Sequence, residues 1–333
     1  MNKRNNRHVS FDYIRVISTF GIITCHFLLN YQNFKITGNL LANIFNPIFI
    51  ILSAFIFGIK WQSNNKTSLH KSFVFERVVR VSCTYYPFLM FMFLFIFLTD
   101  GKILEKTDII LHFLHLPVIR RIENWGHLWF ISMILFCYVA CYLYSKLKIR
   151  INSSKTTLMI IGVLCLLGII IIYNYNISVI TYSIIIYLYL YIIVFENASS
   201  ILKFMEKFKN TKSILTMSLL FIILSTLIQL GNFPHHLINI LTGLILAALL
   251  FTILHNIFKN RNINRIILTL SNISFEIFLV HHIITIGEYR AMNYITQPYI
   301  CFILICTMSI IFGYILNCLS FKNIYKCLTT NSK

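Results

Sequence analysis

The sequence predicts an all-α, polytopic membrane protein with about ten transmembrane helices and both termini cytoplasmic, on three observations. Of the 333 residues, 58% are hydrophobic and only 12% charged, and the mean hydropathy is +0.76. A water-soluble domain carries roughly 25% charged residues, so composition alone excludes an ordinary globular protein. The apolar residues gather into runs of spanning length, without the alternating ten-residue pattern of a transmembrane barrel. The basic residues concentrate in alternate connections between those runs.

Taken in order, the runs predict helices at 11–30, 41–60, 81–98, 127–145, 157–173, 179–195, 214–230, 237–255, 267–287 and 299–320. A single membrane domain over 1–333 holds them all. The basic start MNKRNNR resembles a signal-peptide n-region. The apolar run behind it continues past signal-peptide length and lacks a small-residue cleavage pattern, so it is read as a retained first helix. Only a short polar turn at 174–178 separates the fifth and sixth helices, which predicts a helical hairpin. The longest outer connection, 99–126, contains the apolar piece LHFLHLPVI between DGKILEKTD and RRIENWG. That piece either lies along the interface or folds back toward the site, and its His112 and His115 read as interfacial groups rather than metal ligands. A later outer loop, GNFPHH, places His235 and His236 near the outer surface.

Charge fixes the expected orientation. With the N-terminus inside, the inner connections hold Lys3, Arg4 and Arg7; Lys60, Lys66, Lys71, Arg77 and Arg80; Lys146, Lys148, Arg150 and Lys155. Lys203, Lys207, Lys209 and Lys212, then Lys259, Arg261 and Arg265, then Lys322, Lys326 and Lys333 complete the inner set. Apart from Arg15 at a helix mouth, the outer connections hold Lys35, Lys102, Lys106, Arg120, Arg121 and Arg290. The 29 Lys and Arg against 10 Asp and Glu, a net charge of +19, are thus spread over loops instead of lining a groove, which argues against nucleic acid. Nine cysteines lie mostly within apolar runs, with no CxxC pair and no Cys/His spacing suited to a metal. They read as small buried hydrophobes, and no metal site is predicted.

Four stretches carry candidate chemistry. In FDYIRVISTFGIITCHF, at 11–27, Arg15 and His26 are eleven residues apart. At about 100° per residue they share a helix face, with a rise of roughly 16 Å between them. Asp12, three residues before Arg15, is placed to pair with it or orient it. Ionisable groups in a membrane segment mark a pathway or a reaction site, the plainer alternative being a snorkelling arginine and a structurally bonded histidine. In HKSFVFERVVRVSCTYYPF, Arg77 and Arg80 share one side of a helix. Their forked guanidinium groups suit phosphate, and ordinary positive-inside anchoring explains them equally well. In WGHLWFISMILF, Trp125 and Trp129 fit an aromatic belt with His127 at its rim. In SNISFEIFLVHHIITIGE, Ser274 and His281 face the same way on a continuous helix, whereas Glu276 lies about 140° from His281 and would need a partner on another helix.

Together these stretches resemble the acyltransferase-3 family of multi-helix membrane acyltransferases. A family opening like LDxLRxxAxxxVxxxxH reads here as FDYIRVISTFGIITCH, carrying Arg15 and His26. A second-helix FFxxSGF reads as IFIILSAF, with Ala54 in place of glycine. The basic motif reads as Glu76-Arg77 and Arg80, without its first basic member, and Pro87 corresponds loosely to the usual proline. LWFL appears as Leu128-Trp129-Phe130-Ile131 and SYxxYLxH as SFEIFLVH, Ser274 to His281.

The resemblance implies transfer of an acetyl or other small acyl group from a cytoplasmic acyl-CoA, a donor substrate and not a resident cofactor. The implied acceptor is a hydroxyl of a cell-surface polysaccharide or its lipid-linked precursor. Some members carry an SGNH-type esterase domain, which this chain is expected to lack, so later transfer would fall to glycan-assembly proteins. The implied roles are His26 as general base, with Arg15, Asp12 and His281 supporting it; Arg77, Arg80 and Arg15 for the donor; and Trp129, His127, Ser274 and Glu276 for the acceptor. Direct attack needs fewer assumptions than an acyl-histidine intermediate. The expected location is a bacterial cytoplasmic membrane. The competing reading is a transporter or flippase of a lipid-linked glycan, which ten helices and intramembrane charges also fit.

Overall fold

The computed structural model describes residues 8–63, 69–100, 104–174, 179–231, 236–287 and 289–321. Lys3, Arg4, Arg7, Lys66, Lys102, Lys322, Lys326, Lys333, His235, the side chain of His236 and positions 175–178 of the expected hairpin turn lie outside the described residues.

Among the described residues thirteen α-helices follow in order: α1 (Val9–Leu29), α2 (Lys35–Ser63), α3 (Lys71–Asp100), α4 (Lys106–Phe113), α5 (Trp129–Ile151), α6 (Ser154–Asn174), α7 (Val179–Glu206), α8 (Thr211–Gly231), α9 (His236–Phe258), α10 (Arg265–Asn272), α11 (Ser274–Val280), α12 (His282–Thr285) and α13 (Pro298–Leu319). No strand occurs among the described residues. Nine of these helices are long and apolar enough to cross a membrane, or ten if α10 and the helices after it are one broken span. The chain is therefore an all-α, multi-pass membrane protein.

The expected ninth helix, 267–287, is not one rod. Asn264 caps α10 by accepting from the Ile266 N–H at 3.0 Å, and Ile273 leaves helical geometry at φ −102°, ψ 9°. The cause is the polar run Ser271-Asn272-Ile273-Ser274, whose hydroxyls compete for backbone partners: Ser274 Oγ donates to the Ser271 carbonyl at 2.9 Å. Elsewhere helices outrun the apolar stretches that announced them, because backbone hydrogen bonding continues past the lipid boundary. Thus α2 begins at Lys35 rather than 41 and α3 at Lys71 rather than 81.

The chain divides into two compact units, each discontinuous in sequence: Met1–Lys66 with Leu158–Ser274, and Thr67–Thr157 with Phe275–Lys333. In the first, α2 is the hub against which α1, α7 and α9 pack. Small residues let the backbones approach, since helix association in lipid rests on close packing rather than on hydrophobic exclusion. A methyl on Gly243 would sit 2.6 Å from Asn43 Cβ and from the Asn43 carbonyl, and one on Gly58 would strike the Phe195 carbonyl. Helix α7 kinks at Asn197 (φ −105°, ψ 16°). Gln62 of α2 satisfies the loosened backbone there, donating to the Glu196 carbonyl at 2.6 Å and accepting the Ser199 N–H at 3.0 Å. The expected hairpin is borne out where it is described, with Gly162 of α6 under Tyr189 of α7 and Gly168 under Ile185.

The second unit is built on α3, which carries α5 and α13. Gly313 lets α13 close on Ile277 of α11. The connection after α4 folds back along α3. Phe93 faces His112, Tyr86 donates to the Phe113 carbonyl at 3.1 Å, and Ser82 meets His115 Nε2 at 2.9 Å. From Asp100 to Ser82 that descent is roughly 27 Å of helix. Arg120 ties the limbs, bonding Glu105 at 2.7 Å and Asp108 at 3.0 Å. Both His112 and His115 are buried inside the protein. Burial pushes His115 down to about 4, and it lowers His112 against the opposing effect of its bond to the Asp108 carbonyl. The exposed Glu105 is held low by its hydrogen bond from Arg120.

Candidate active site

In the first unit the chemistry centres on α1. Helix α1 is continuous from Val9 to Leu29, so the one-face relation of Arg15 and His26 holds. Asp12 and Arg15, one turn apart, are linked through a residue that sequence reasoning did not single out. Ser271 donates to Asp12 Oδ1 at 2.6 Å and accepts from Arg15 Nη1 at 3.2 Å. Asp12 and Ser271 are 4% and 1% exposed, so their end of the bridge is removed from water, while Arg15 is half-buried. Ser274, expected to contact substrate, spends its hydroxyl proton on the Ser271 carbonyl and closes the helix break that places Ser271. His26 lies half-buried in the last turn of α1, where its carbonyl accepts Asn30 Nδ2 at 2.7 Å.

The second unit gathers three imidazoles. His127 Nε2 donates to the Leu279 carbonyl at 3.1 Å, His281 Nδ1 to the Phe278 carbonyl at 2.6 Å, and His282 Nδ1 to the Asn124 carbonyl at 3.0 Å. A carbonyl cannot donate, so in each ring the named nitrogen carries a proton. The His127 and His282 rings stack at 3.8 Å, and His281 stands across His127 at 5.4 Å. Glu276, wholly buried, meets the expected partner on another helix: Thr84 of α3 donates to Oε1 across a long 3.4 Å. Trp125 is buried, edge-on to Phe88 at 5.8 Å, while Trp129 is half-buried and edge-on to Phe130. Arg77 lies over the Phe73 ring at 5.5 Å and Arg80 is exposed, both near the N-terminal end of α3.

A family model described as an acyltransferase domain matches residues 8–319. The chain belongs to the acyltransferase-3 family. No curated protein and no solved structure matches it. As a membrane acyltransferase, the protein must present a base to the attacking group and polar groups to a developing oxyanion. Within this acyltransferase the second unit brings His127 and His281 together and adds His282, which the adjacent pair His281-His282 could have signalled in the sequence. The signal for Ser271 was the polar run SNIS interrupting an apolar stretch.

Proposed function

We propose that the protein is a membrane O-acyltransferase that moves acetyl or another small acyl group from acyl-CoA to a hydroxyl of a cell-surface polysaccharide or its lipid-linked precursor. The observation that carries this reading is the family match over residues 8–319, which contains every candidate residue. His26 is assigned as general base. It takes the proton as the acceptor oxygen attacks the thioester carbonyl, the carbon–sulfur bond breaks, and the departing thiolate takes up that proton as the free thiol. The Asp12–Ser271–Arg15 bridge supports a positioning role for Asp12, which holds Arg15 for the donor. Arg77 and Arg80, with forked donors suited to phosphate, are assigned to the nucleotide end of the donor. His127, His281 and Glu276 are assigned to orienting the acceptor or stabilising the oxyanion, and Trp129 and Ser274 to shaping the acceptor's surroundings. The glycan acceptor, a bacterial cytoplasmic membrane and glycan-assembly partners belong to the same proposal.

The test uses the reconstituted full chain with labelled acetyl-CoA and a cell-envelope glycan extract, the label being located by mass spectrometry. His26→Ala is expected to stay folded and lose transfer by at least a hundredfold. Full transfer by that variant would overturn the assignment.

A further inference from the structure

Segments 124–127 and 279–282, both in the second unit, are joined by a reciprocal pair of hydrogen bonds. His127 Nε2 donates to the Leu279 carbonyl at 3.1 Å, and His282 Nδ1 donates to the Asn124 carbonyl at 3.0 Å. Each segment thus supplies one carbonyl and, three residues later, one imidazole. Between these two rungs the His127 and His282 rings lie face to face, 3.8 Å apart and 24° from parallel. Both side chains are buried. Two residues with positive φ shape the clasp. Asn124 adopts φ +63°, a conformation that asparagine reaches more readily than most residues, and Gly287 at φ +92° packs against its carboxamide.

We propose that His282 is a positioning residue that fixes the plane of the His127 ring, and that acyl transfer depends on the stack more than on the bond to Asn124. The role rests on the assignment of His127 to the acceptor or the oxyanion under the proposed function. The torsion that turns an imidazole about its Cβ–Cγ bond is broad, so rotamer preference sets the ring plane only loosely. A hydrogen bond at Nε2 pins one corner and still lets the ring pivot about it. A ring lying flat on its face removes that pivot. Phe278 and His281 stand across the same ring at 5.5 Å and 5.4 Å and frame its rim. His282 is itself anchored to the Asn124 carbonyl, so its plane is set from outside the stack. A pivot of about 30° would carry the far nitrogen of His127 roughly 1 Å, a displacement that can cost about a hundredfold in rate.

The experiment reconstitutes the full chain as parent, His282→Phe and His282→Asn. Phenylalanine keeps the stacking face and loses the donor to the Asn124 carbonyl. Asparagine, whose Nδ2 takes the place of Nδ1, keeps the donor and loses the face. Three quantities are read: transfer of label from acetyl-CoA to a cell-envelope glycan extract, unfolding temperature in detergent, and the ring-proton resonance of His127. The chain carries isotope-labelled histidine, and that resonance is assigned by its loss in His127→Phe. His282→Asn should unfold with the parent and lose the upfield shift that a stacked ring confers on the His127 resonance. Its turnover should fall about tenfold, with the half-saturating acetyl-CoA concentration within about twofold of the parent's. His282→Phe should unfold earlier, keep the shift, and turn over within about threefold of the parent. A purely structural residue gives the reverse order, asparagine behaving as the parent and phenylalanine being impaired with its stability. That order, or a His127 resonance unmoved in His282→Asn, would overturn the proposal and leave the acyltransferase reading standing. The expected resonance shifts in a parent that transfers no label would sink that reading and keep the clasp. Neither the shifts nor transfer would remove both.

Discussion

Replacing Ser271 with alanine deletes one hydroxyl that serves two charged groups at once. It donates to Asp12 Oδ1 at 2.6 Å and receives Arg15 Nη1 at 3.2 Å, in a place where Ser271 is 1% and Asp12 4% exposed. Hydrogen bonds to charged groups contribute about 1.5–3 kcal/mol each, which sets an upper limit near 6 kcal/mol for the pair. Interhelical polar contacts in membrane proteins average about 0.6 kcal/mol, because the loosened chain finds other partners. The 3.2 Å bond is long and Arg15 can re-aim its fork, so a loss of about 1–3 kcal/mol is expected. Two readouts separate stability from positioning. Thermal unfolding in detergent should fall by several degrees. Transfer assayed well below the unfolding temperature should drop about ten- to a hundredfold, with most of the change in donor dependence. Ser271→Thr, which keeps the hydroxyl, should restore the larger part of both. If Ser271→Ala unfolds like the parent and transfers at the parent's rate, the bridge does not hold Arg15 and its positioning role is wrong.

Gly243→Ala forces a methyl to 2.6 Å from Asn43 Cβ and should cost about 1–3 kcal/mol by overpacking, read as lowered detergent unfolding temperature. Gln62→Ala strips the acceptor and donor that serve the kink in α7, and should speed amide exchange at Ser199 and nearby positions. The docked connection along α3 should loosen in acid. His115 is lowered from 6.5 to about 4 in the fold, so the unfolded form binds the proton first. Stability is full above about pH 6.5 and is lost as pH falls toward about 4, by roughly 2–3 kcal/mol. Proteolysis of residues 104–125 should rise across that window in the parent and rise less steeply in His115→Asn, which tolerates the φ of +59° and does not titrate, His112 supplying the remainder. Parallel curves would assign the pH response elsewhere.

How much could be read in advance follows from which forces act locally. Lipid demands a minimum apolar length and internal backbone bonding, so the number and order of spans lay open in the hydropathy. Their ends did not, because nothing in a bilayer requires a helix to stop at the interface: α3 carries Glu76, Arg77 and Arg80 through ten further residues of helix before the apolar stretch begins at 81. The break near Ile273 was legible only as a polar run without glycine or proline, since a serine that bonds a backbone carbonyl ends a helix only when another partner takes its freed groups. The candidate residues divide in the same way. Asp12, Arg15 and His26 announced themselves through helical spacing on one uninterrupted element. Ser271, Thr84 and His282 act across elements far apart in sequence, and no period connects them.

That division explains why the bridge, rather than either charge alone, is the informative feature of the first unit. Asp12 and Arg15 three residues apart would meet on any helix, and such a pair on a solvated surface contributes about 0.3–0.5 kcal/mol. Burying Asp12 beside a half-buried Arg15 changes the sign of the problem, because each unsatisfied carboxylate lone pair then costs more than the attraction returns. A serine arriving from α10 adds a third polar group that neither charge needed in sequence, and its own placement depends on Ser274 closing the helix break. The helix break and the ion cluster therefore adjoin: the residue whose hydroxyl reaches Asp12 is also the one whose carbonyl takes the Ser274 hydroxyl at the break. Substituting Ser274 with alanine should accordingly disturb the first unit's bridge while leaving Asp12, Arg15 and Ser271 chemically intact.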